Sequence, residues 1–272
     1  MIEILSNRSV LHITGPDSQI FLQGMITNDI IKNIYSYNYL LTHQGKYLFD
    51  FFIYKQNDNS YFLDINLNNF ADLQKHLTLY KLRRNLEIRD ISSEYAISYS
   101  KLPIRSEVEF SIQDPRYNKL GCRSMIKHSN INSLKVTNGL LYLADKYKYA
   151  IVDGNPDLIY NRSIPVEYGA EELCSIDYHK GCYLGQEVIS RVKYQGVIRK
   201  KIFKLQFDKK ILPELSGAKI TDLDNNILGI VCSNYKNQAI GLIREEKFLE
   251  LKQKVAIVDS QLANIQVPPW RR

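Results

Sequence analysis

The residues best suited to chemistry lie in one run, His179-Lys180-Gly181-Cys182-Tyr183-Leu184-Gly185-Gln186-Glu187-Val188-Ile189-Ser190-Arg191. Two glycines flank a cysteine just ahead of an apparent helix, whose start is expected near Leu184. Val188, Ile189 and Val192 would form the buried side of that helix, Glu187 and Arg191 pair at i,i+4, and Gly196 closes it. Free backbone N–H groups at a helix start, together with Lys180, favour an anion, and both draw a thiol towards the thiolate. Gly181 and Gly185 permit a close backbone approach to a ligand. Cys182 is therefore either a reactive thiol or a small buried hydrophobe in a tight turn, and the residues alone leave both open. His179 beside it is either an aid to proton transfer or a surface histidine.

The other cysteines, Cys122, Cys174 and Cys232, sit in strand-like or apolar surroundings and are expected in the core. No Cys-x-x-Cys pair and no zinc spacing occurs, so no metal site is expected and the thiols should be reduced. The chain has 272 residues, 44% of them hydrophobic, with a net charge of +7 and a pI near 9.0. Such an excess suits an anionic partner, either nucleic acid or a polyglutamylated cofactor. Compositional drift is the simpler explanation, because only Arg83-Arg84 and Arg199-Lys200-Lys201 cluster. Many tyrosines and the end Arg271-Arg272 would suit RNA, yet no RNP or KH motif is present and direct nucleic-acid binding is not expected. The longest apolar stretches, such as Tyr47 to Tyr54, fall far short of the ~20 residues of a spanning helix, so no membrane role is expected. Met1-Ile2-Glu3-Ile4-Leu5 shows neither a signal nor a transit pattern, which predicts a cytoplasmic location.

The elements that must carry these residues alternate between strand and helix. Val10 to Thr14 reads as a strand, Gly15-Pro16-Asp17 as a turn with Asp17 as N-cap, and Ile20, Phe21 and Met25 as the inward stripe of a helix. Tyr47 to Lys55 and Tyr61 to Asn66 flank a polar turn and predict a hairpin. Phe70, Leu73, Leu77 and Tyr80 recur at helical spacing, which predicts a helix over Asn69 to Leu82. After Gly196, short strand signals separated by Gly, Asn, Asp and Lys predict a small barrel. The expected class is α+β, divided as 1–95, an N-terminal α+β subdomain, 96–196, a second one carrying the cysteine run, and 197–272, the barrel.

The run Lys180-Gly181-Cys182-Tyr183-x-Gly185-Gln186-Glu187 with Arg191 resembles the signature of the YgfZ family of folate-binding proteins, relatives of the glycine-cleavage T-protein. Other segments resemble the family in the expected order: Gly15-Pro16-Asp17, Phe21-Leu22-Gln23-Gly24, Thr27-Asn28-Asp29, Gln44-Gly45-Lys46, Tyr80-Lys81-Leu82-Arg83-Arg84, Asp114-Pro115-Arg116 with Leu120-Gly121-Cys122-Arg123, and Pro165-Val166-Glu167. The resemblance implies a T-protein-like fold of mixed α/β subdomains with a C-terminal β-barrel. It also implies tetrahydrofolate in a central channel and a role in assembling or repairing iron–sulfur enzymes, those that modify tRNA among them. The implied cofactor-binding residues are Asn28, Asp50, Glu167, Lys180, Tyr183, Gln186 and Arg191, with Cys182 as the reactive thiol. Glu167 or Asn28 suits the amino-pyrimidine edge of a pteridine, Tyr183 or Tyr194 could stack on its rings, and Lys or Arg could hold the glutamate tail.

The chain departs from the family where Tyr147 to Pro156 lacks the arginine of an Arg-x-x-x-Gly-Ile-Pro element. T-proteins carry two adjacent acids after the Gly-centred turn, and this chain has Phe49-Asp50. Asp50 is either a buried folate contact or an outward strand residue, and Arg116 either a structural ion pair or a ligand contact. The expectation is a monomeric folate-binding factor with iron–sulfur proteins as partners. The alternative is a tetrahydrofolate-dependent aminomethyltransferase of the T-protein type, the only enzyme class the residues suggest.

Overall fold

The computed structural model describes residues 1–209 and 214–271; Arg272, part of the expected basic end, lies outside them. The chain divides into two compact units, each assembled from separate stretches of sequence.

The first unit comprises residues 1–44, 48–142 and 173–186. Its elements are β1 (Ile2–Ile4), β2 (Arg8–Thr14), α1 (Ser18–Met25), β3 (Tyr35–Leu41), β4 (Tyr47–Asn57, whose first residue belongs to the second unit), β5 (Ser60–Asn66), α2 (Phe70–Lys81), β6 (Glu87–Asp90), β7 (Tyr95–Ser100), β8 (Phe110–Gln113) and β9 (Cys122–Lys127). They form a five-stranded sheet in the order β3-β4-β5-β2-β6 and a four-stranded sheet in the order β1-β7-β9-β8. The hairpin foreseen around Gln56 to Ser60 is present, with Phe52 opposite Asp64 and Tyr54 opposite Phe62. Strand β4 is covered on both faces, which is why Leu48 to Tyr54 is an unbroken apolar run save for Asp50.

Helices α1 and α2 bury Phe21, Leu22, Met25, Leu73 and Leu77 in one core with Leu11, Ile13, Phe51, Ile53, Leu63 and Ile65. Two side chains read as inward differ. Ile20 is exposed, because Phe21, Leu22 and Met25 already fill the i, i+1, i+4 face that α1 presents to the core. Tyr80 stacks on His76 with ring centroids 4.5 Å apart near the helix surface.

One buried ion cluster joins the two sheets. Asp64 of β5 accepts from Arg8 Nε at 2.5 Å and from Arg123 Nη2, on β9, at 2.7 Å. The Arg123 guanidinium lies 4.1 Å from the centroid of the Phe52 ring. Arg116 forks onto Asp114 through Nε at 2.9 Å and Nη2 at 2.7 Å, both residues fully buried. Arg116 thus makes a structural ion pair within its own Asp-Pro-Arg turn, with Tyr142 Oη at 2.9 Å as a further partner.

The second unit holds residues 45–47, 143–172 and 187 onward. It contains most of α3 (Leu141–Tyr149), a 3-10 turn at Pro165–Tyr168 and all but the first residue of α4 (Gln186–Gln195). β10 (Lys200–Phe207), β11 (Lys219–Thr221), β12 (Ile227–Tyr235), β13 (Gln238–Arg244), β14 (Val255–Val258) and β15 (Gln261–Gln266) close a barrel in the order β10-β13-β12-β11-β14-β15, with α5 (Glu245–Glu250) after β13. The barrel foreseen from the short strand signals is therefore present and closed, which leaves no open edge. Its interior is Phe203, Leu205, Phe207, Ile220, Val231, Ile243, Ala256, Val258 and Ile265. Trp270 in the tail is buried, donating from Nε1 to Tyr149 O at 2.8 Å. No helix among the described residues is long and apolar enough to cross a membrane.

Candidate functional site

Where α1 ends at Met25 its last carbonyls need donors. Lys180 Nζ supplies one to Gln23 O at 2.8 Å, and donates also to Ile26 O at 2.7 Å and Asn28 O at 2.7 Å in the turn that follows. An ammonium has three protons, and all three are taken. A cation at a helix C-terminus is also favoured by the macrodipole. Burial pulls the Lys180 pKa down from 10.5 to about 8, against the opposing pull of Asp29 and Asp177. The Tyr183 ring centroid lies 5.1 Å from the ammonium.

The surrounding bonds use the motif residues almost one for one. Thr27 Oγ1 donates to Ser175 O at 2.7 Å, and the Asp177 N–H donates to Thr27 O at 3.0 Å. Asn28 Nδ2 donates to Cys174 O at 2.8 Å and Tyr37 O at 3.3 Å, while its Oδ1 accepts from the Asp29 N–H. Asp29 accepts from the Ile31 and Lys32 N–H groups and from Gln23 Nε2. Burial would raise its pKa, but these donors and the Lys32 ammonium hold it below the usual carboxylate range. Asp177 Oδ1 caps the turn by accepting from the N–H groups of His179 and Lys180. Gln186 closes the run on itself, accepting from the Tyr183 N–H at 3.3 Å and donating to Lys180 O at 3.4 Å. The Leu184 N–H reaches Gly24 O at 3.2 Å. The segments 21–24, 27–29 and 174–186 are one interlocked piece.

On this piece Cys182 is exposed, and so is Cys174. Helix α4 starts at Gln186, two residues later than foreseen, so Cys182 lies outside its first turn, where the dipole acts. With the Lys180 charge spent on carbonyls, Cys182 shares its exposure on a pinned segment with Cys174 and differs from it in lying inside the Lys180 to Arg191 run. Cys174 was expected in the core and is not there: it sits at φ +52°, turned outward while its carbonyl holds Asn28. Cys122 and Cys232 are buried as foreseen, and burial pushes both thiols up. Tyr183 is 7% exposed, and its buried Oη has no hydrogen-bond partner among the described residues. Its ring is enclosed, which leaves no open face for stacking. Asp50 is also buried, accepting from Tyr37 Oη at 2.7 Å. Its neighbour Phe49 is a core residue whose ring meets His76 edge-on at 5.7 Å.

In the second unit Glu167 occupies the 3-10 turn after Ile164 and is half-buried. Burial raises its pKa, with Lys200 opposing. Among the described residues its carboxylate has no hydrogen bond or ion pair, which sets it apart from the paired, buried Asp64, Asp114 and Asp157. Arg191 and Tyr194 are both exposed on α4. Sequence reasoning did not single out Ser175, Asp177 or Asp64, and Gln23 only as part of a resembling segment. Asp64 had a signal, since one acid in an otherwise apolar strand must find a cation.

No protein-family model matches the chain. Its fold is that of the T-protein aminomethyltransferases. A glycine cleavage system aminomethyltransferase T from Bartonella henselae aligns over 99% of this chain and 86% of its own, with a TM-score of 0.77 and 12% sequence identity. In sequence the chain is similar to proteins named iron-sulfur cluster assembly factor IBA57 or its homolog, mitochondrial. The Neurospora crassa protein is 29% identical over 227 residues, covering 73% of this chain and 52% of that protein. The Pyricularia oryzae protein is 28% identical, covering 73% and 55%. The Homo sapiens protein is 26% identical, covering 98% and 84%. The chain thus spans about half the length of the two fungal relatives.

These relatives overturn the cytoplasmic expectation, since each is named as mitochondrial. Among the residues behind that expectation, Ile2–Ile4 is strand β1, paired with β7 from Ile2 opposite Ser100 to Ile4 opposite Ser98.

Proposed function

We propose that this chain is a tetrahydrofolate-binding factor that supports the assembly or repair of iron–sulfur enzymes, tRNA-modifying ones among them. The observation that carries the iron–sulfur part is Cys182, an exposed thiol on a segment fixed by the three Lys180 bonds. A soft ligand or nucleophile held on a rigid base suits work on clusters, and the names of the similar proteins point the same way. The folate part rests on the signature resemblance and on Glu167. A half-buried carboxylate without a partner fits the paired N–H donors of an amino-pyrimidine edge. Arg191, exposed on α4, is a cation available to bind tail carboxylates. Lys180 is spent, and Asn28 and Gln186 serve the frame rather than the ligand.

The alternative, aminomethyl transfer, is the weaker reading because a core phenylalanine stands at the first acidic position of the pair. The test is complementation. In cells lacking the protein, cluster-dependent enzyme activity should return with the wild-type chain and stay absent with Cys182→Ser. Full recovery with Cys182→Ser would remove the thiol from the function.

A further inference from the structure

Helix α2 ends in an exposed turn that works against its own stability. Leu82 has φ +51° and ψ −121°, and the Arg84 N–H donates to Lys81 O at 3.1 Å. These are the angles and the closing bond of a type II′ turn with Leu82 at its first central position, where glycine is favoured because a Cβ is strained there. Leu82 is also 82% exposed, so the strain is not compensated by packing within the chain. Strain of this sort persists only where the surroundings impose it, and it concentrates at functional places.

The surroundings do impose it. Asp17 Oδ2 accepts from the Asn85 N–H at 2.7 Å, and the Asp17 N–H donates back to Asn85 O at 3.3 Å. A Cβ on Gly15 would lie 2.5 Å from Asn85 O, so only glycine allows this approach. The Arg84 guanidinium lies 5.8 Å from the Phe21 ring centroid. Through Asn85, and through Arg84 over Phe21, the turn Gly15-Pro16-Asp17 and helix α1 brace the end of α2, so that segments separate in the sequence make one knuckle.

The knuckle is apolar at its tip and basic around it. Leu79 is 69% exposed, and Ile20, next to Phe21 on α1, is exposed as well. From Leu79 to Arg84 there are three cations, Lys81, Arg83 and Arg84, and no acid. Among the described residues none of the three makes an ion pair.

We propose that this knuckle is a docking site for an acidic protein segment, whose apolar recess receives Leu82 while its carboxylates face Arg83, Arg84 and Lys81. Charge complementarity selects an anionic partner. A lipid surface fits poorly, because α2 spends Leu73 and Leu77 on the core and has too little outward apolar area to enter an interface. A nucleic-acid backbone would satisfy the arginines but offers Leu82 no recess.

The test titrates the isotopically labelled full chain with a synthetic amphipathic peptide carrying Glu on one face and Leu on the other. Shifts should concentrate on Leu79 to Arg84. Leu82→Gly should weaken binding about tenfold, as loss of a central anchor does, and should at the same time raise Tm by relieving the turn. Arg83→Glu with Arg84→Glu should weaken binding without that gain in Tm. Unchanged affinity in Leu82→Gly, or a Tm that falls with it, would overturn the proposal. So would Leu82-dependent sedimentation with phosphatidylcholine–phosphatidylserine vesicles by a chain that ignores the peptide.

Discussion

At the scale of single residues, Lys180 shows a motif residue whose three protons all serve the frame. Its ammonium caps α1 and ties the cysteine run to the Thr27-Asn28-Asp29 turn. Lys180→Met would leave three carbonyls short of donors and should cost about 1–3 kcal/mol in urea unfolding at pH 7. Its pKa adds a signature. The folded value of about 8 lies below the ordinary 10.5, so between these values the unfolded chain holds the extra proton. The Lys180 contribution to stability therefore rises with pH across that window, and this rise should vanish in Lys180→Met. Unfolding curves at several pH values between 7 and 10.5 check both points. Thiol labelling is a second residue-scale test. Iodoacetamide should modify Cys174 and Cys182 in the native protein, and Cys122 and Cys232 only after denaturant, as peptide mapping would reveal.

At the scale of elements, the readable parts of the sequence were those with strong periodicity or strong turns. Helix α2, the β4–β5 hairpin and the short barrel strands follow from the 3.6 and 2 residue periods and the polar turns between them. Strand β3, Tyr35 to Leu41, was not anticipated. It is buried from Ser36 onward and satisfies Ser36 and Asn38 within itself, so its polar residues hid its burial. The candidate site was legible as a set of motifs, but not as a division of labour. Spacing cannot distinguish Lys180, spent on carbonyls, from Glu167, left unpaired, because that depends on contacts across some 150 residues of chain. The Arg8–Asp64–Arg123 cluster joining two sheets was hidden for the same reason. Burial would raise the Asp64 pKa, but Arg123 and Arg8 outweigh it and hold the carboxyl below its usual 3.8. Its stabilisation is thus present above pH 3.8 and lost as the pH falls through the lower folded value. Asp64→Asn, which strands the buried Arg123 and the partly buried Arg8, should cost about 3–5 kcal/mol near neutral pH. That penalty should shrink under acid, as denaturant titrations at descending pH would register.

At the scale of the whole molecule, the fold and the proposed chemistry are separate questions. The T-protein fold covers nearly the whole chain, while the core phenylalanine at position 49 argues against aminomethyl transfer and the exposed Cys182 argues for work on clusters. The shared element in this account is the cofactor, which makes folate binding its central claim. Calorimetric titration of the full chain with tetrahydrofolate, in wild type and in Glu167→Ala, tests it most directly. Charge-assisted hydrogen bonds to a carboxylate carry about 1.5–3 kcal/mol, so saturable binding should appear in the wild type and weaken about tenfold or more in the variant. Absence of binding in a folded wild-type chain, or equal affinity in Glu167→Ala, would contradict the account.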